Sequence, residues 1–371
     1  MSHFSELRTA SYTLNMNREA DNQFSMSRWN CPVELPADSE RVSLSIGEGA
    51  RHTRRFLQKT VFPRLGCSSS ITDATLIEVE QRRLAICTDS HTVTPLFFPG
   101  GDLGSLSVIG TVNDLAVSGA LPRWLTMSLI LEEGLPVAVL ERLLDSAAAA
   151  ARQCDITIVA GDTKVVPRGA VDGVFINTTG VGEFGDSIPA GPKSLEPGDR
   201  ILVSGPIGQH GLAVLSSRQG MAFLNAVESD LKCLLPGVRE VLKHGVSSVK
   251  CLRDATRGGV SAVLHEWAEE GNVSFELDQS SIPVSRPVRG ACEILGFEPL
   301  HLANEGTFLA AVASSSAEDV MNAMRSLPLF PEAELIGTVI QKSMTPVAVR
   351  RLFGSPIPLD EPAGAPFPRI C

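Results

Sequence analysis

The sequence is informative first through what it lacks. No G-x-x-x-x-G-K-[ST] segment is present, so a nucleotide site here must be of another type than a P-loop. No C-x-x-C pair occurs among the eight cysteines, Cys31, Cys67, Cys87, Cys154, Cys233, Cys251, Cys292 and Cys371. Thiols this scattered in a chain this long do not read as a disulfide framework. Most sit beside apolar residues, so the expectation is buried small side chains in a reducing, cytoplasmic setting. No apolar run approaches the roughly 18 residues of a membrane span. The opening stretch, MSHFSELRTASYTLNMNREADNQF, has no continuous apolar core and is not read as a secretory signal. Positive charge is short as well, with 32 Lys and Arg against 42 Asp and Glu and a net charge of −10. That argues against a broad nucleic-acid or anionic-membrane surface. It leaves a nucleotide ligand open, because one phosphate site needs only a few backbone N–H groups and a metal ion.

What is present is an ordinary globular balance of 43% hydrophobic and 20% charged residues over 371 positions. That length exceeds a typical single core, so two domains are expected. Residues 1–40 read as a polar extension, 41–190 as an N-terminal domain and 191–345 as a C-terminal domain. The turn-rich GPKSLEPGDR (191–200) marks the boundary. Helices are predicted at RHTRRFLQKTVF, at 107–119, at LPVAVLERLLDSAAAAARQ, at HGLAVLSSRQ and at GVSAVLHEWAEEG. Strands are predicted at TLIEVE, RRLAICTDS, WLTMSLIL, ITIVAGD, VDGVFINTTGVG, DRILV and FLAAVA. This mixture implies α/β and α+β layers. Residues 346–371 form a tail with prolines at 356, 358, 362, 366 and 368. Proline lacks a donor and fixes φ, so the tail should be extended.

Four groups of residues could carry chemistry. Cys371, in the terminal PRIC, is either a chance end residue or a thiol on a free arm that enters and leaves a site. Ten extended residues reach on the order of 30 Å, and a neighbouring cation such as Arg369 would favour the thiolate. Asp73, Asp89, Asp114 and Asp162 each close an apolar run beside Thr, Ser or Asn. Singly, such acids are caps and turns; jointly they fit a metal–nucleotide site, since Mg²⁺ takes carboxylate and phosphate oxygens. GEGA (47–50), FFPGGD, VIGTVND and TRGG are glycine-rich, as plain turns are and as phosphate cradles are. Lys164 in GDTKVV and Glu305 in ANEGT interrupt apolar runs, as a buried functional charge or a surface ion pair would. His265 and Glu266 read as a solvated helix face.

From about Ser43 to Cys371 the chain resembles the hydrogenase-maturation carbamoyl dehydratase (HypE) family. The resemblance lies in TDS, PLFFPGGDLG, GTVNDLAVSGA, ILEEGLP, AGDTKVVPRG, DGVFINTTGVG, LVSGPIGQHG, LRDATRGG, IPVSRPVRGACEILG, ANEGT and PRIC, of which GDTKVV and PRIC are the most specific. The resemblance implies a two-domain PurM-like (AIR synthetase-like) fold. The N-terminal domain dimerises through its sheet, and the C-terminal domain covers an ATP cleft. It implies that a HypF-type carbamoyltransferase loads Cys371 and that ATP with Mg²⁺ drives dehydration of the S-carboxamide to a thiocyanate. The cyanide then passes to iron on a HypC–HypD-type scaffold. By the same resemblance Glu305 is the proton acceptor, Lys164 holds the amide or stabilises negative charge, and Asp73, Asp89 and Asp114 are the Mg–ATP acids. Thr111, Asn113 and Gly161, with Asp162 beside them, match nucleotide-site positions. Departures from the family pattern are Ile46-Gly47-Glu48-Gly49-Ala50 for its glycine-rich early loop, Thr72 for a second acid, and Ala255 for a proline. Two other readings compete: another PurM-like ATP enzyme, in which Cys371 is dispensable, and a non-catalytic carrier of Cys371, which binds no ATP.

Overall fold

The protein is described by a computed structural model over residues 50–65, 73–79, 82–185, 188–219, 227–245, 247–351, 354–362 and 369–371. The N-terminal extension, residues 46–49 of the early loop, Thr72 and the middle of the proline-rich tail lie outside them. Two sheets organise the chain within a single packed unit, Ala37–Cys371.

The first element among the described residues, α1 (Ala50–Phe56), passes through a π turn over Leu57–Val61 into Phe62–Leu65. Strands β1 (Thr75–Val79) and β2 (Arg82–His91) follow, then a short pair, β3 (Phe97–Phe98) and β4 (Gly101–Asp102). Helix α2 (Leu103–Val117) starts four residues before the predicted span. Asp102 explains the earlier start: its backbone is extended and its carboxylate accepts the Ser105 amide at 2.9 Å, while the Ser105 hydroxyl accepts the Asp102 amide at 3.1 Å. This reciprocal cap satisfies amides at the first turn. Strand β5 (Ala120–Glu132), helix α3 (Val137–Gln153), β6 (Thr157–Val166) and β7 (Val174–Phe184) complete the layer. The sheet order is β1-β2-β7-β5-β6, antiparallel except for the β5–β6 pair, which α3 connects. A long crossover is what a parallel pair requires. Strand β6 is the outer edge and is exposed along nearly its whole length.

The second sheet collects β8 (Arg200–Val203), β9 (Val249–Asp254), β10 (Ser274–Asp278), β11 (Phe308–Val312), β12 (Glu334–Ile340), β13 (Val347–Arg350) and β14 (Ile357–Pro358). Its order is β14-β13-β10-β12-β8-β11-β9. Helices α5 (Leu235–Leu242), α6 (Gly259–Glu270) and α8 (Ala317–Arg325) cover it, whereas α4 (Gln209–Gln219) and α7 (Arg286–Leu295) pack against each other and join the apolar cluster of the first sheet. On one face Phe275 and Trp267 anchor an apolar layer with α6; on the other, Phe308 and Phe330 pack with α5 and α8.

Helix α2 joins the two halves. It touches β2, β5 and β7 of the first sheet and also α3, α5 and β9. Nearly every residue on it is buried, as expected of a helix apolar on all sides. Its crossing with α3 is so close that a Cβ on Gly104 would lie 2.0 Å from the Leu143 carbonyl oxygen, which only glycine permits. The polar residues of α2, Thr111, Asn113 and Asp114, are therefore carried into the middle of the molecule. Among the described residues no helix is long and apolar enough to cross a membrane.

Candidate active site

Three carboxylates meet where α2 passes the second sheet. Asp73 precedes β1, Asp114 lies on α2 and Asp254 closes β9. One oxygen of each lies within 4.8 Å of the others. Burial raises the pKa of Asp73 and of Asp114, and neighbouring acids raise both further. Burial pushes Asp254 up to about 6, against the pull of Arg253. Arg253 provides part of the countercharge, with its Nε 2.7 Å from Asp73 and its Nη2 3.4 Å from Glu266. Glu266 also faces Arg54 at 3.7 Å. The solvated face expected for His265 and Glu266 is thus a correction: His265 is buried, its Nδ1 2.8 Å from the Ser261 carbonyl, and Glu266 belongs to a charged network. Their helix packs its polar side against α1 rather than against water.

Asp89, on β2, stands beside this trio and accepts from Thr111 Oγ1 at 3.4 Å. Thr111 Oγ1 is also 2.6 Å from Thr178 Oγ1 on β7. Asn113, expected at a nucleotide position, spends its amide on the protein instead. Its Nδ2 donates to the carbonyls of Lys232 and Glu305 at 3.1 and 3.2 Å, and its Oδ1 accepts the Leu234 amide at 2.8 Å. It is a clamp between α2 and two loops.

Glu305 is buried in the loop before β11. Its backbone amide donates to Asp230 Oδ1 at 3.1 Å, and that of Gly306 donates to Asp230 Oδ2 at 3.0 Å. Its carboxyl group lies over α2, so that a Cβ on Gly110 would be 3.9 Å from Glu305 Oε2 and 3.1 Å from His91 Cε1. Burial, then Asp254, Asp230 and Asp89, hold its pKa well above the ordinary carboxylate range. His91 is buried too, with Nε2 3.4 Å from Thr178 Oγ1 and Nδ1 without a partner among the described residues. Thr178 Oγ1 is also 3.1 Å from the Ser107 carbonyl oxygen. His91 Nδ1 lies on the Glu305 side of α2, 4.0 Å from where a Cβ on Gly110 would be.

The terminal tripeptide is seated against this region. The Cys371 carbonyl oxygen accepts the Thr92 amide at 2.9 Å. The Ile370 carbonyl lies 2.8 Å from His210 Nε2. The Arg369 carbonyl accepts from the Thr94 amide at 3.4 Å and from the Arg218 guanidinium. Arg369 itself bends into the left-handed region at φ 53° and reaches the Thr92 carbonyl at 2.9 Å and Asp172 at 2.8 Å. Such a backbone costs about 1–2 kcal/mol, which the bonds made by Arg369 and by the two residues after it offset. Ile370 is buried, and Cys371 packs partly buried against the same apolar cluster.

Lys164 and Asp162 are not brought to this side of the sheet. Met127 and Thr178 pair across β5 and β7 and face α2. Their neighbours Ser128 and Ile130 therefore face the other way, and Asp162 and Lys164 pair with those two. Both side chains are exposed on the edge strand, so of the two settings open for Lys164, a buried charge and a surface one, the single chain shows the surface one. Gly161 has a packing reason of its own, since a Cβ there would lie 2.3 Å from the Met127 carbonyl oxygen. Sequence reasoning passed over Asp254, His91, Asp230 and His210. Asp254 carried a usable signal, an acid that ends an apolar strand in LRDATRGG. The other three acquire meaning only from contacts distant in sequence.

This arrangement of two sheets about a buried acidic cluster is that of the AIR synthase related proteins. The N-terminal domain of that class matches residues 71–184 and the C-terminal domain matches 196–349. Within the class, the chain belongs to the carbamoyl dehydratase HypE family. Carbamoyl dehydratase HypE of Escherichia coli K12 is 46% identical over 299 residues, 81% of this chain and 88% of its own. A crystal structure of a HypE–HypF complex superposes with a TM-score of 0.77 at 39% identity, over 85% of this chain and 100% of the other. A HypE crystal structure in complex with ATP superposes at 0.72 with 39% identity, over 89% and 100%.

Proposed function

We propose that this protein is an ATP-dependent dehydratase acting on a carbamoyl group carried by its own Cys371 thiol, which it converts to a thiocyanate. The cyanide so formed supplies the iron centre during [NiFe] hydrogenase maturation. The observation that carries this reading is the seated tail, whose last carbonyl is held by Thr92 next to His91, while His91 and Glu305 share one wall of α2. Family membership supports the reaction class, and the ATP-bound relative supports the nucleotide.

The chemistry assigns work to the residues present. A carboxamide oxygen is a poor leaving group, so it takes the terminal phosphoryl group of ATP and departs as phosphate. Both amide protons must go as the carbon–nitrogen triple bond forms. Glu305, beside the His91 wall of the seat, accepts one at each of two steps, phosphorylation of the oxygen and departure of phosphate, and releases the first to solvent before taking the second. Its burial keeps it a proton-hungry carboxylate once ionised, the property a base for a weakly acidic amide needs. Asp73, Asp114 and Asp254, with Asp89 behind them, would hold Mg²⁺. Their oxygen donors suit a hard cation, and burial followed by the neighbouring acids raises the pKa values of Asp73 and Asp114, a mutual repulsion that a cation would offset. A bound divalent ion offsets the charge on a transferring phosphoryl group. Thr111 holds Asp89 in place, and Asn113 fixes the Glu305 backbone.

Lys164 enters through a second copy of the chain. Edge strand β6 exposes Ile158, Val159 and Val165, and an exposed apolar edge is a pairing surface. A homodimer closed there would carry Lys164 of each copy toward the partner's tail, where an ammonium stabilises negative charge on the departing oxygen. The crystallised HypE–HypF complex supports a HypF-type carbamoyltransferase as the partner that loads Cys371; a HypC–HypD-type scaffold receives the cyanide, in the cytoplasm.

Intact mass tests the proposal. Chain carbamoylated at Cys371 should lose the mass of one water when ATP and Mg²⁺ are added, and Cys371→Ala should show neither adduct nor loss. A stable adduct with unconsumed ATP would leave a carrier of Cys371 as the better account. ATP turnover that survives Cys371→Ala would favour another PurM-like enzyme.

A further inference from the structure

The segment from Ser229 to Leu234 carries more contacts than a connecting loop requires. Ser229 sits against the Pro99 carbonyl, to which its amide donates at 2.9 Å. Its hydroxyl lies 2.8 Å from His210 Nδ1 and accepts the Leu231 amide at 3.1 Å. The other ring nitrogen of His210 meets the Ile370 carbonyl at 2.8 Å. A carbonyl only accepts, so Nε2 must carry the proton. In the neutral ring Nδ1 then accepts from the Ser229 hydroxyl. One residue further on, the Asp230 carboxylate takes the amides of Glu305 and Gly306 and, at 3.0 Å, the Thr307 hydroxyl. Gly306 is in such close contact that a Cβ on it would fall 1.7 Å from the Asp230 carbonyl oxygen. Beyond it, the Lys232 carbonyl and the Leu234 amide are held by Asn113, which also holds the Glu305 carbonyl.

We propose that residues 229–234 form a strut that couples seating of the terminal tripeptide to the placement of Glu305, with His210 and Asp230 as positioning residues. Read from the tail, the strut runs from the Ile370 carbonyl through His210 and Ser229 to Asp230 and thence to both sides of the Glu305 peptide. Each link is a hydrogen bond in a mostly buried setting, where an unmade bond is more costly than at a surface. There is also no room between Asp230 and Gly306 for one to move without the other. An unseated tail releases His210 and Ser229, and the Glu305 loop loses the restraint that aims its carboxyl group. The base is then in register only while the reacting end of the chain is in place. This inference rests on the dehydratase reading for its purpose, though not for its existence.

The test separates the two. Cys371 alkylation by iodoacetamide reports seating, and amide hydrogen exchange over 304–307 reports the Glu305 loop; neither needs ATP or a carbamoyl group. His210→Ala should speed alkylation about tenfold and, with it, exchange at Glu305 and Gly306. His210→Gln, whose amide can again donate to the Ile370 carbonyl, should restore much of both. Ile370→Gly, which unseats the tail without touching the strut, should likewise speed exchange at 305–306. Asp230→Asn should speed exchange there while leaving alkylation unchanged, and should slow water loss from the carbamoylated chain by about tenfold or more. Faster alkylation in His210→Ala or Ile370→Gly with unaltered exchange at 305–306 would overturn the coupling. Absence of water loss in the unmodified protein would instead count against the dehydratase reading.

Discussion

Asp254→Asn is the perturbation whose outcome is least expected from a functional residue: in the absence of metal it should stabilise the fold at neutral pH. Burial raises this carboxyl from an ordinary 3.8 to about 6. A group whose folded pKa exceeds its unfolded one binds protons more tightly when folded. Stability is therefore greatest below pH 4 as far as this group is concerned, and falls as pH rises from about 4 through 6. The gap between 3.8 and about 6, at roughly 1.4 kcal/mol per pH unit, sets a ceiling of about 3 kcal/mol on the loss at pH 7.5. Asparagine keeps the shape and never ionises, but it gives up attraction to Arg253, so the net gain should be about 1–2 kcal/mol. Urea unfolding at pH 5 and pH 7.5, with and without Mg²⁺, measures this directly. The variant should be the more stable at pH 7.5 without metal, its advantage should shrink at pH 5, and added Mg²⁺ should stabilise the unmodified chain more than the variant. A variant less stable than its parent at pH 7.5 without metal, or one stabilised equally by Mg²⁺, would refute the picture of an acidic trio short of countercharge.

Three further outcomes are expected. Glu305→Gln should retain ATP binding by calorimetry and slow water loss from the carbamoylated chain by about 10²–10⁴-fold, the range for a lost general base. Lys164→Ala, at an exposed position, should change unfolding free energy by no more than about 0.5 kcal/mol while slowing the same reaction. Val159→Glu, which puts a charge on the apolar edge of β6, should shift the sedimentation coefficient from dimer to monomer, and an unchanged value would sink the β6 interface.

The predicted strands were legible because β-branched runs such as those of β2 and β5 alternate where one sheet face is covered. The start of α2 was misjudged because FFPGGD reads as loop, while Asp102 is in fact its cap. The acids at Asp73 and Asp114 were legible as strand-end and helix polar residues in apolar surroundings, and the structure brings them together. Asp254 carried the same strand-end signal in LRDATRGG and was passed over; its place in the trio shows only in contacts with elements more than 100 residues earlier. Lys164 exposes a different limit. Alternation identifies a strand but not whether it lies at the edge, and only sheet order shows which face its side chain takes. Asn113 matched a motif position, yet its role follows from two carbonyls and an amide contributed by loops that no local pattern links.

The grips described on the terminal tripeptide act on main-chain oxygens, on the Arg369 guanidinium and on the buried Ile370 side chain, and Cys371 packs against the same apolar cluster. The reactant is also tethered, and its local concentration is fixed by chain length rather than by dilution. Turnover of a loaded dimer should thus be first order and insensitive to protein concentration above that at which the dimer forms. Saturation with respect to the carbamoyl group has no meaning here, and the diffusive encounters of the cycle are those with the second copy, with ATP and with the partners that load and unload the tail.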